Sequence, residues 1–537
     1  MKALYRVEEI RAAERAAVAA GLSEAALMAA AGQGVAQAIV EARGGRAGTA
    51  LFLVGPGNNG GDGLVAAAEL VARGWRCLIW GYRRTDIAGA PVQTAAAEQF
   101  TWVESGDGLA SAALEADVIV DAVFGIGSRA DLPAEVAAAF AVGAQARLQR
   151  GTPLIALDVP SGVDADTGAV AEGALHADLT VMVGLPKIGL FRAPALRHTG
   201  VLRLVEIGLP EPDISQERPR LIKEDDVRDW LPRRPADTHK RAVGSLLVVG
   251  GAPTYYGAPR LAAAAAARAG AGLVTLAVSR SLIAPIATAL PEVTFLPLPE
   301  GELGGAGARM ARIVHEQLAR YRALVVGPGL GQDATVDEFL GALFHVRPAV
   351  AAIGFGATLA PEAGNVFSGR AVLDADALNW LARQPEWVER LRAAELVLTP
   401  HPGELSRLLA TEVEQIVAEP WESAREASQR FGHVVVLKLG HAVVASPDGT
   451  LLVAPQALPA LASAGTGDVL AGTIGGLMAQ GLPALAAAAA GVYLGCQAAL
   501  LAMRRVGTLG LVASDVIDAL PKAIAAHYDA RWGEDEG

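Results

Sequence analysis

The segment AGTGDVLAG, from Ala464 to Gly472, places flexible backbone, a hydroxyl and one carboxylate at the expected start of a helix. Glycines let the backbone approach a phosphate closely, and the amides and dipole of a helix start favour its negative charge. Asp468 is then positioned to take a proton from an attacking hydroxyl, which is kinase-type chemistry. The plainer reading is a Gly-rich turn before an Ala-rich helix, with Asp468 serving as a cap. A second Gly-rich loop, VGPGNNGGDG, lies between the apolar run ALFLVG and the helically spaced LVAAAELVARG. There, backbone amides can face a phosphate while the oxygens of Asn58, Asn59 and Asp62 face a cation or a sugar. Its spacing is not GxGxxG, which argues against a dinucleotide-binding dehydrogenase. Asp121 and Asp158 fall at the ends of successive apolar runs, and with Asn59 and Ser161 they form an all-oxygen set suited to a hard cation. Each Asp taken alone reads as a loop cap or turn former.

The elements that must hold these residues are short and repeat along the chain. DVIVDAVFG, TPLIALDVPSG and ADLTVMVG follow ALFLVG as continuous apolar runs ending in Gly or polar residues. A parallel sheet buried on both faces produces such runs, and its ligands collect at the carboxyl ends of the strands. After Gly208 the chain becomes charged and proline-containing, in PEPDISQERPRLIKEDDVRDWLPRRPADTHK, which reads as a linker with one short helix. The boundary falls near residue 212. SLLVVGG at 245–251 restarts the strand and Gly-loop pattern, and LVTLAV, ALVVGPGLG, AVLDADALN, LVLTPHPGE and VVVLKLG continue it.

The 537 residues exceed one ordinary core and fit two large domains. With 61 Gly, 5% aromatic and 52% apolar residues, much of it Ala, the composition suits α/β layers in which small residues let helices sit close to sheets. A net charge of -12 and a pI near 5.4 argue against a nucleic-acid-coating surface, so an anionic ligand must be met by local cations or helix ends. Cys77 and Cys496 have neither disulfide nor zinc spacing, and a reducing cytoplasm is the simplest compartment. The N-terminus mixes both charge signs where an export signal needs an apolar core. Ala484 to Met503 is nearly long enough to span a bilayer, but it is mostly Ala, carries Gln497 and follows Pro483, so it reads as a buried helix rather than a membrane span.

NNGGDG, DAVFG, DVPSG, and GLPKIGL before GVLRLVEIGLP resemble the NAD(P)H-hydrate epimerase domain in order and spacing, over roughly residues 1–210. The resemblance implies potassium held by Asn59, Asp121 and Ser161. It implies substrate contacts from Asn58, Asn59, Gly60, Gly61 and Asp62, from Gly125, Ile126, Gly127, Ser128, Arg129, Ala130 and Asp131, and from Asp158 as the acid/base. Epimerising a hydroxyl beside a ring nitrogen needs a group that moves a proton to and from that oxygen. Lys187, after a strand, is a candidate local positive charge. One departure is LMAAAG at Leu27 to Gly32, where the family carries Glu-Asn before Ala-Gly and this chain has Ala29 and Ala30. It bears on a helix-borne polar contact.

HKRAVGSLLVVGG, RAGAGLVTLAV, GPGLG, LDADALN, LTPHPGE, KLGHAVV and AGTGDVLAG are similar, in that order, to the ADP-dependent NAD(P)H-hydrate dehydratase of the ribokinase-like superfamily, over about residues 225–525. The implied fold class is α/β throughout: a Rossmann-like three-layer α/β/α epimerase domain at 1–212, a linker at 213–236, and a larger ribokinase-like α/β/α dehydratase domain at 237–537. The resemblance places substrate at Ala258, Gly329, His401 and Asp468, and the nucleotide at Lys438, Leu439, Gly440, His441, Ala442 and Gly467. Magnesium is expected with ADP. Hydroxide leaves poorly, water having a pKa of about 15.7, whereas a phosphate ester leaves as an anion with a second pKa of about 6. Phosphorylating the ring hydroxyl therefore makes dehydration easy. His401 can equally shape a turn, Asp374 and Asp376 can cap a helix or contact magnesium, and Lys438 can be an ordinary strand-end cation. QALPALASAGTGD departs from the family's Asn-containing approach at Ala457 to Leu461, which bears on nucleotide preference.

The expected function is one bifunctional isomerase and lyase that acts on NAD(P)HX with ADP and contacts neither nucleic acid nor membrane. Self-association is expected from the family. The alternative is a small-metabolite or vitamin-precursor kinase fused to a nucleotide-binding module.

Overall fold

The computed structural model describes all residues except 128–129, 216, 301–304, 346–366 and 529–537. It divides into two compact units, Lys2–Ser215 and, together with Met1, Gln216–Gly537.

In the first unit, β1 (Thr49–Val54), β2 (Arg76–Gly81), β3 (Thr101–Trp102), β4 (Val118–Ala122), β5 (Leu154–Leu157), β6 (Leu179–Val183) and β7 (Val201–Val205) form a seven-stranded parallel sheet in the order β3-β2-β1-β4-β5-β6-β7. The uninterrupted apolar runs follow from burial on both faces. Phe52 and Val54 of β1 pack with Ile39 and Leu64, on α2 (Glu24–Ala42) and α3 (Asn58–Ala72). Leu51 and Leu53 enter a second core with Phe140 of α4 (Ala134–Arg150). A further helix, α1 (Val7–Ala19), precedes these layers. Strand order reverses between β1 and β4, and ligands of open parallel sheets lie in the crevice such a reversal opens.

The second unit's strands are β8 (Arg220–Leu221), β9 (Ser245–Val249), β10 (Leu273–Ser279), β11 (Thr294–Leu298), β12 (Ala323–Val326), β13 (Arg370–Leu373), β14 (Glu395–Leu398), β15 (Val434–Leu437), β16 (Val443–Ala445) and β17 (Leu451–Val453). They run in the order β8-β17-β16-β15-β14-β13-β12-β9-β10-β11. From β11 to β15 every pairing is parallel; β15, β16 and β17 form an antiparallel edge turned by Ser446 to Gly449, where Thr450 N–H donates to Asp448 Oδ1 at 2.9 Å. Within the stretch 213–236, expected as a linker with one short helix, residues 220–230 contribute to this unit: β8 pairs with β17, and α5 (Glu224–Trp230) buries Val227 in the core. Its few apolar residues, scattered among charges and prolines, concealed a core contribution that only the tertiary partners reveal.

The Ala- and Gly-rich helices pack as tightly as their composition suggested. In α6 (Gly257–Arg268) Ala262, Ala263, Ala265 and Ala266 are buried against α8 (Thr466–Ala479). The long α9 (Ala484–Val506), apolar and long enough by composition to span a membrane, lies in the same core with α10 (Ala513–Tyr528). At Gly472 of α8, a Cβ would stand 2.0 Å from the Ala262 carbonyl oxygen, so the helix backbones touch where any side chain would part them. Gly472→Ala is therefore expected to cost about 1–3 kcal/mol of stability through overpacking. Denaturant unfolding checks this, and an unchanged midpoint would mean the two helices have room to separate.

Candidate active sites

In the first unit the three candidate segments meet at the carboxyl ends of adjacent strands. β1 runs through Gly55 into α3, whose first turns carry Asn58, Asn59 and Asp62; Asp121 lies in β4, and Asp158 follows β5. Asn58, Asn59, Asp62, Asp158 and Lys187 line a cavity of about 620 Å³, together with Gly125, Ile126 and Gly127. Gly60 and Gly61 are buried in α3, Gly60 against the Gly55 carbonyl and Gly61 against Met28, so they serve packing. Ala130 and Asp131 are not part of the lining, and Ser128 and Arg129 lie outside the described residues.

Asp158 sits at φ +70°, a left-handed conformation that costs a non-glycine residue strain and is held here by its neighbours. Its amide donates to Val181 O at 2.8 Å, its Oδ1 accepts the Val183 amide at 3.1 Å, and the same oxygen pairs with the ammonium of Lys187. Lys187, with only 1% of its side chain exposed, donates also to Val183 O at 2.5 Å. Oδ2 is left facing Gly125, where a Cβ would come 3.0 Å from it and 2.9 Å from Asn59 Oδ1. The absent side chain at Gly125 keeps those two oxygens open to a ligand.

Electrostatics separate the carboxyls. Burial, reinforced by the charges of Asp158 and Glu14, pushes Asp62 up to about 8 against the pull of Lys187. Glu14 of α1, another lining residue, is raised by burial, with Lys187 opposing. Behind the cavity Asp121 is fully buried and pushed up to about 6; the Ser161 and Val123 hydrogen bonds only partly offset its desolvation. Ser161 donates to it from the amide at 2.8 Å and from Oγ at 2.7 Å. Among the described residues, no cationic side chain pairs with Asp121.

The second cluster also occupies strand ends. Asp374 follows β13, His401 and Glu404 follow β14, Lys438 follows β15, and Asp468 lies in the first turn of α8 behind Gly465. Lys438 Nζ donates to Asp374 Oδ1 at 2.7 Å and lies 3.9 Å from Glu404 Oε2, while Thr399 Oγ1 donates to Asp374 at 2.8 Å. Burial alone would pull the Lys438 ammonium down, but the carboxylates of Asp374 and Glu404 outweigh it and hold it high. A Cβ at Gly467 would lie 3.4 Å from Nζ, which places the lysine at the opening amides of α8. Asp468 is pushed up to about 7 by burial and by Asp374, with Lys438 opposing. Ala258, in the first turn of α6, adjoins Gly329, whose Cβ would fall 3.1 Å from that of Ala258.

His401 caps α7 (Pro402–Leu409): its Nδ1 accepts the Gly403 and Glu404 amides at 3.0 and 3.3 Å, and Glu404 Oε2 reciprocally accepts the His401 amide at 2.8 Å. The turn-shaping role and a place in the site thus coincide. Asp376 accepts the Gly331 amide at 2.8 Å, anchoring the glycine loop. His441 is turned inward; its Nδ1–H donates to Ala454 O at 2.8 Å and burial pulls its pKa down to about 4. Of the 438–442 loop, Lys438 presents its side chain to the cluster, while His441 and Ala442 are tied to Ala454, whose amide donates to Ala442 O at 2.8 Å.

Four functional candidates had escaped the motifs. Glu14, Arg11 and Arg15 reach the first cavity from α1, far from any glycine loop, and only their shared helical face could have signalled it. Glu404 was legible as the third residue after the cap in His-Pro-Gly-Glu, a capping-box spacing, and is pushed up to about 7 by burial.

Comparison with known proteins gives concordant results. The profile of the NAD(P)H-hydrate dehydratase family matches residues 246–522, and that of the YjeF-related protein N-terminus matches residues 24–189. The bifunctional NAD(P)H-hydrate repair enzyme Nnr of Moorella thermoacetica is 37% identical over 491 residues, covering 88% of this chain and 86% of its own. That of Escherichia coli is 33% identical over 480 residues, covering 88% and 84%. Among solved structures, the ADP/ATP-dependent NAD(P)H-hydrate dehydratase of Bacillus subtilis, co-crystallised with ATP and Mg2+, is 29% identical and covers 57% of this chain and 98% of its own, with a TM-score of 0.47.

The charge balance around Asp468 can be tested without reference to turnover. Lys438→Met removes the lowering charge and should move the Asp468 pKa up from about 7, whereas Asp374→Asn removes a raising charge and should move it down, each by about one unit. Carboxyl NMR titration reads both; shifts of the same sign in the two variants would refute the arrangement.

Proposed function

The chain belongs to the family of bifunctional NAD(P)H-hydrate repair enzymes, and we propose that its Lys2–Ser215 unit acts as the epimerase through Asp158 and its second unit as the dehydratase through Asp468. The enzyme repairs hydrated nicotinamide cofactors. Its isomerase activity interconverts the R and S forms of NAD(P)HX, and its lyase activity removes water from the S form at the expense of ADP, giving NAD(P)H, AMP and phosphate.

In the epimerase, Lys187 and the Val183 amide occupy Asp158 Oδ1, so Oδ2 is the oxygen that exchanges a proton with the ring hydroxyl. Asn58, Asn59, Asp62, Gly125, Ile126 and Gly127 shape the cavity around that hydroxyl. Asn59, Asp121 and Ser161 would hold potassium. The all-oxygen set suits it; among the described residues the carboxylate of Asp121 is buried without a countercharge and the Asn59 amide nitrogen is buried without a partner, where rotation of the amide would present an oxygen instead. A bound monovalent cation would supply the missing positive charge and fix the β4 and β5 ends.

In the dehydratase, the observation that carries the reading is Asp468 at the first turn of α8, beside a lysine committed to a different carboxylate. Asp468 takes the proton of the ring hydroxyl, whose oxygen attacks the terminal phosphoryl of ADP. The amides at Gly465 to Gly467 and the Lys438 ammonium stabilise charge on the transferring group. Phosphate then leaves from the ring carbon with the C–O bonding pair, the ring nitrogen's lone pair compensates, and loss of a ring proton restores NAD(P)H. Ala258, Gly329 and His401 border the substrate. Magnesium would accompany ADP near the carboxylates of Asp374 and Glu404, an oxygen donor set of the right class. Cys77 and Cys496 are buried thiols pushed up to about 12 by desolvation, which suits a protein of the reducing cytoplasm; the enzyme is expected to self-associate.

Two substitutions test the division of labour. Asp158→Ala is expected to reduce R-to-S interconversion to the spontaneous rate while S-form dehydration continues; catalysed interconversion in that variant removes Asp158 from its role. Asp468→Asn should lose at least about a hundredfold in ADP-dependent dehydration while still binding nucleotide, and normal turnover would reject it as the base. In the wild type, dehydration should rise with pH as Asp468 ionises near 7 and level off above it, because the deprotonated form is the active one. Product analysis of the same reactions separates a lyase, which releases inorganic phosphate, from a kinase, which leaves phosphate on the substrate.

A further inference from the structure

We propose that Arg11 and Arg15 form an anion-binding edge at the first unit's cavity that holds the pyrophosphate of the hydrated dinucleotide, so that the substrate enters ring first and its phosphates stop at α1. The proposal rests on the epimerase reading of that cavity and specifies how the site is filled.

Arg11, Glu14, Arg15 and Val18 fall on one face of α1 at spacings of three and four residues, and all four line the cavity. Both guanidinium groups belong to exposed residues; each lowers the pKa of Glu14 through its charge, but neither has an ion pair within 4.0 Å or a hydrogen bond with a described residue. Elsewhere in the unit Arg43, Arg76, Arg147 and Arg203 each pair with an acidic side chain. Two neighbouring arginines left unpaired at a cavity present planar forks of N–H donors, the geometry that phosphate oxygens accept in pairs.

The inner cavity has the opposite character. Among the described residues its cation, Lys187, is committed to Asp158 and to the Val183 carbonyl, and burial favours the neutral form of Asp62, so it admits a neutral hydroxylated ring and offers phosphate no free positive charge. The opening amides of α3 are the rival anion site, since Gly57, Asn58 and Asn59 also border the cavity. Asp158 Oδ2 and Asn59 Oδ1, however, converge on the empty position at Gly125, so a phosphate at that helix start would face a carboxylate. The charge gradient therefore points phosphates outward and the ring inward. A cavity of about 620 Å³ accommodates the nicotinamide end while the adenosine end lies beyond the rim.

The test follows R-to-S interconversion by the full-length protein without ADP, using hydrated NADH and, as a phosphate-free probe, hydrated reduced nicotinamide riboside. Arg11→Ala and Arg15→Ala should each raise KM for hydrated NADH about tenfold with kcat within twofold of wild type, the loss of a charge-assisted phosphate contact. Arg→Lys at either position should recover part of the loss, and the double alanine variant should flatten the salt dependence of KM. With the riboside, KM should be the same in wild type and variants. Unchanged KM for hydrated NADH, or an equal rise with the riboside, overturns the arginine edge while leaving the epimerase reading in place. A wild-type chain that does not accelerate interconversion overturns both.

Discussion

A carboxylate removed from water must be paired, hydrogen-bonded or protonated, and both candidate sites are organised by that requirement. In each, a lysine beyond a strand end reaches a buried aspartate: Lys187 meets Asp158, and Lys438 meets Asp374. Removing one partner of such a buried pair generally costs about 3–5 kcal/mol, because an uncompensated charge is left behind. The lysine therefore fixes where the carboxylate sits. Asp158 keeps a left-handed backbone only because the ion pair and the Val181 and Val183 contacts surround it.

Placing these pairs requires the parallel sheets. A strand buried on both faces can carry polar side chains only at its ends, where the apolar run stops, and the reversal of strand order between β1 and β4 leaves a crevice there. The second unit reverses strand order between β9 and β12, beside Ala258 and Gly329, whereas its lysine–aspartate pair lies further along the same sheet, at the ends of β13 and β15. Small residues then bring helix starts to the crevice: Gly472 lets α8 touch α6, which holds Asp468 near the strand-end cluster without an intervening side chain. Fold and chemistry are thus coupled through backbone proximity more than through any single strong contact.

The strand ends were legible because the chain writes them as an apolar run, a glycine and a polar residue in succession. Asn59, Asp121, Asp158 and Ser161 could be read from that grammar, as could Asp468 from the glycines before it. Arg11, Glu14 and Arg15 could not, since an amphipathic helix advertises its face but not the cavity that face meets. His441 shows the complementary limit: a histidine in a nucleotide-loop motif looks available, yet Ala454 O draws it inward, a contact set by the β16–β17 edge. Residues 220–230 illustrate a third, because a two-residue strand and one buried valine are too slight a signal to distinguish from a linker until their partners are known.

The two lysine–aspartate pairs differ in what they leave free, and that difference matches the chemistry. In the first site the lysine pairs with the proposed reacting carboxylate, occupying Oδ1 and leaving Oδ2 beside the cavity. In the second, Lys438 pairs with Asp374 instead, so Asp468, the proposed base, is influenced by both charges and bound by neither. Had Lys438 paired with Asp468 directly, the carboxylate would be stabilised in its ionised form and made a weaker base. Held by burial at about 7, it can accept a proton near neutral pH while the ammonium remains at the α8 amides. Phosphoryl transfer needs both a proton acceptor and a cation for the moving charge, and keeping them on separate partners lets neither neutralise the other.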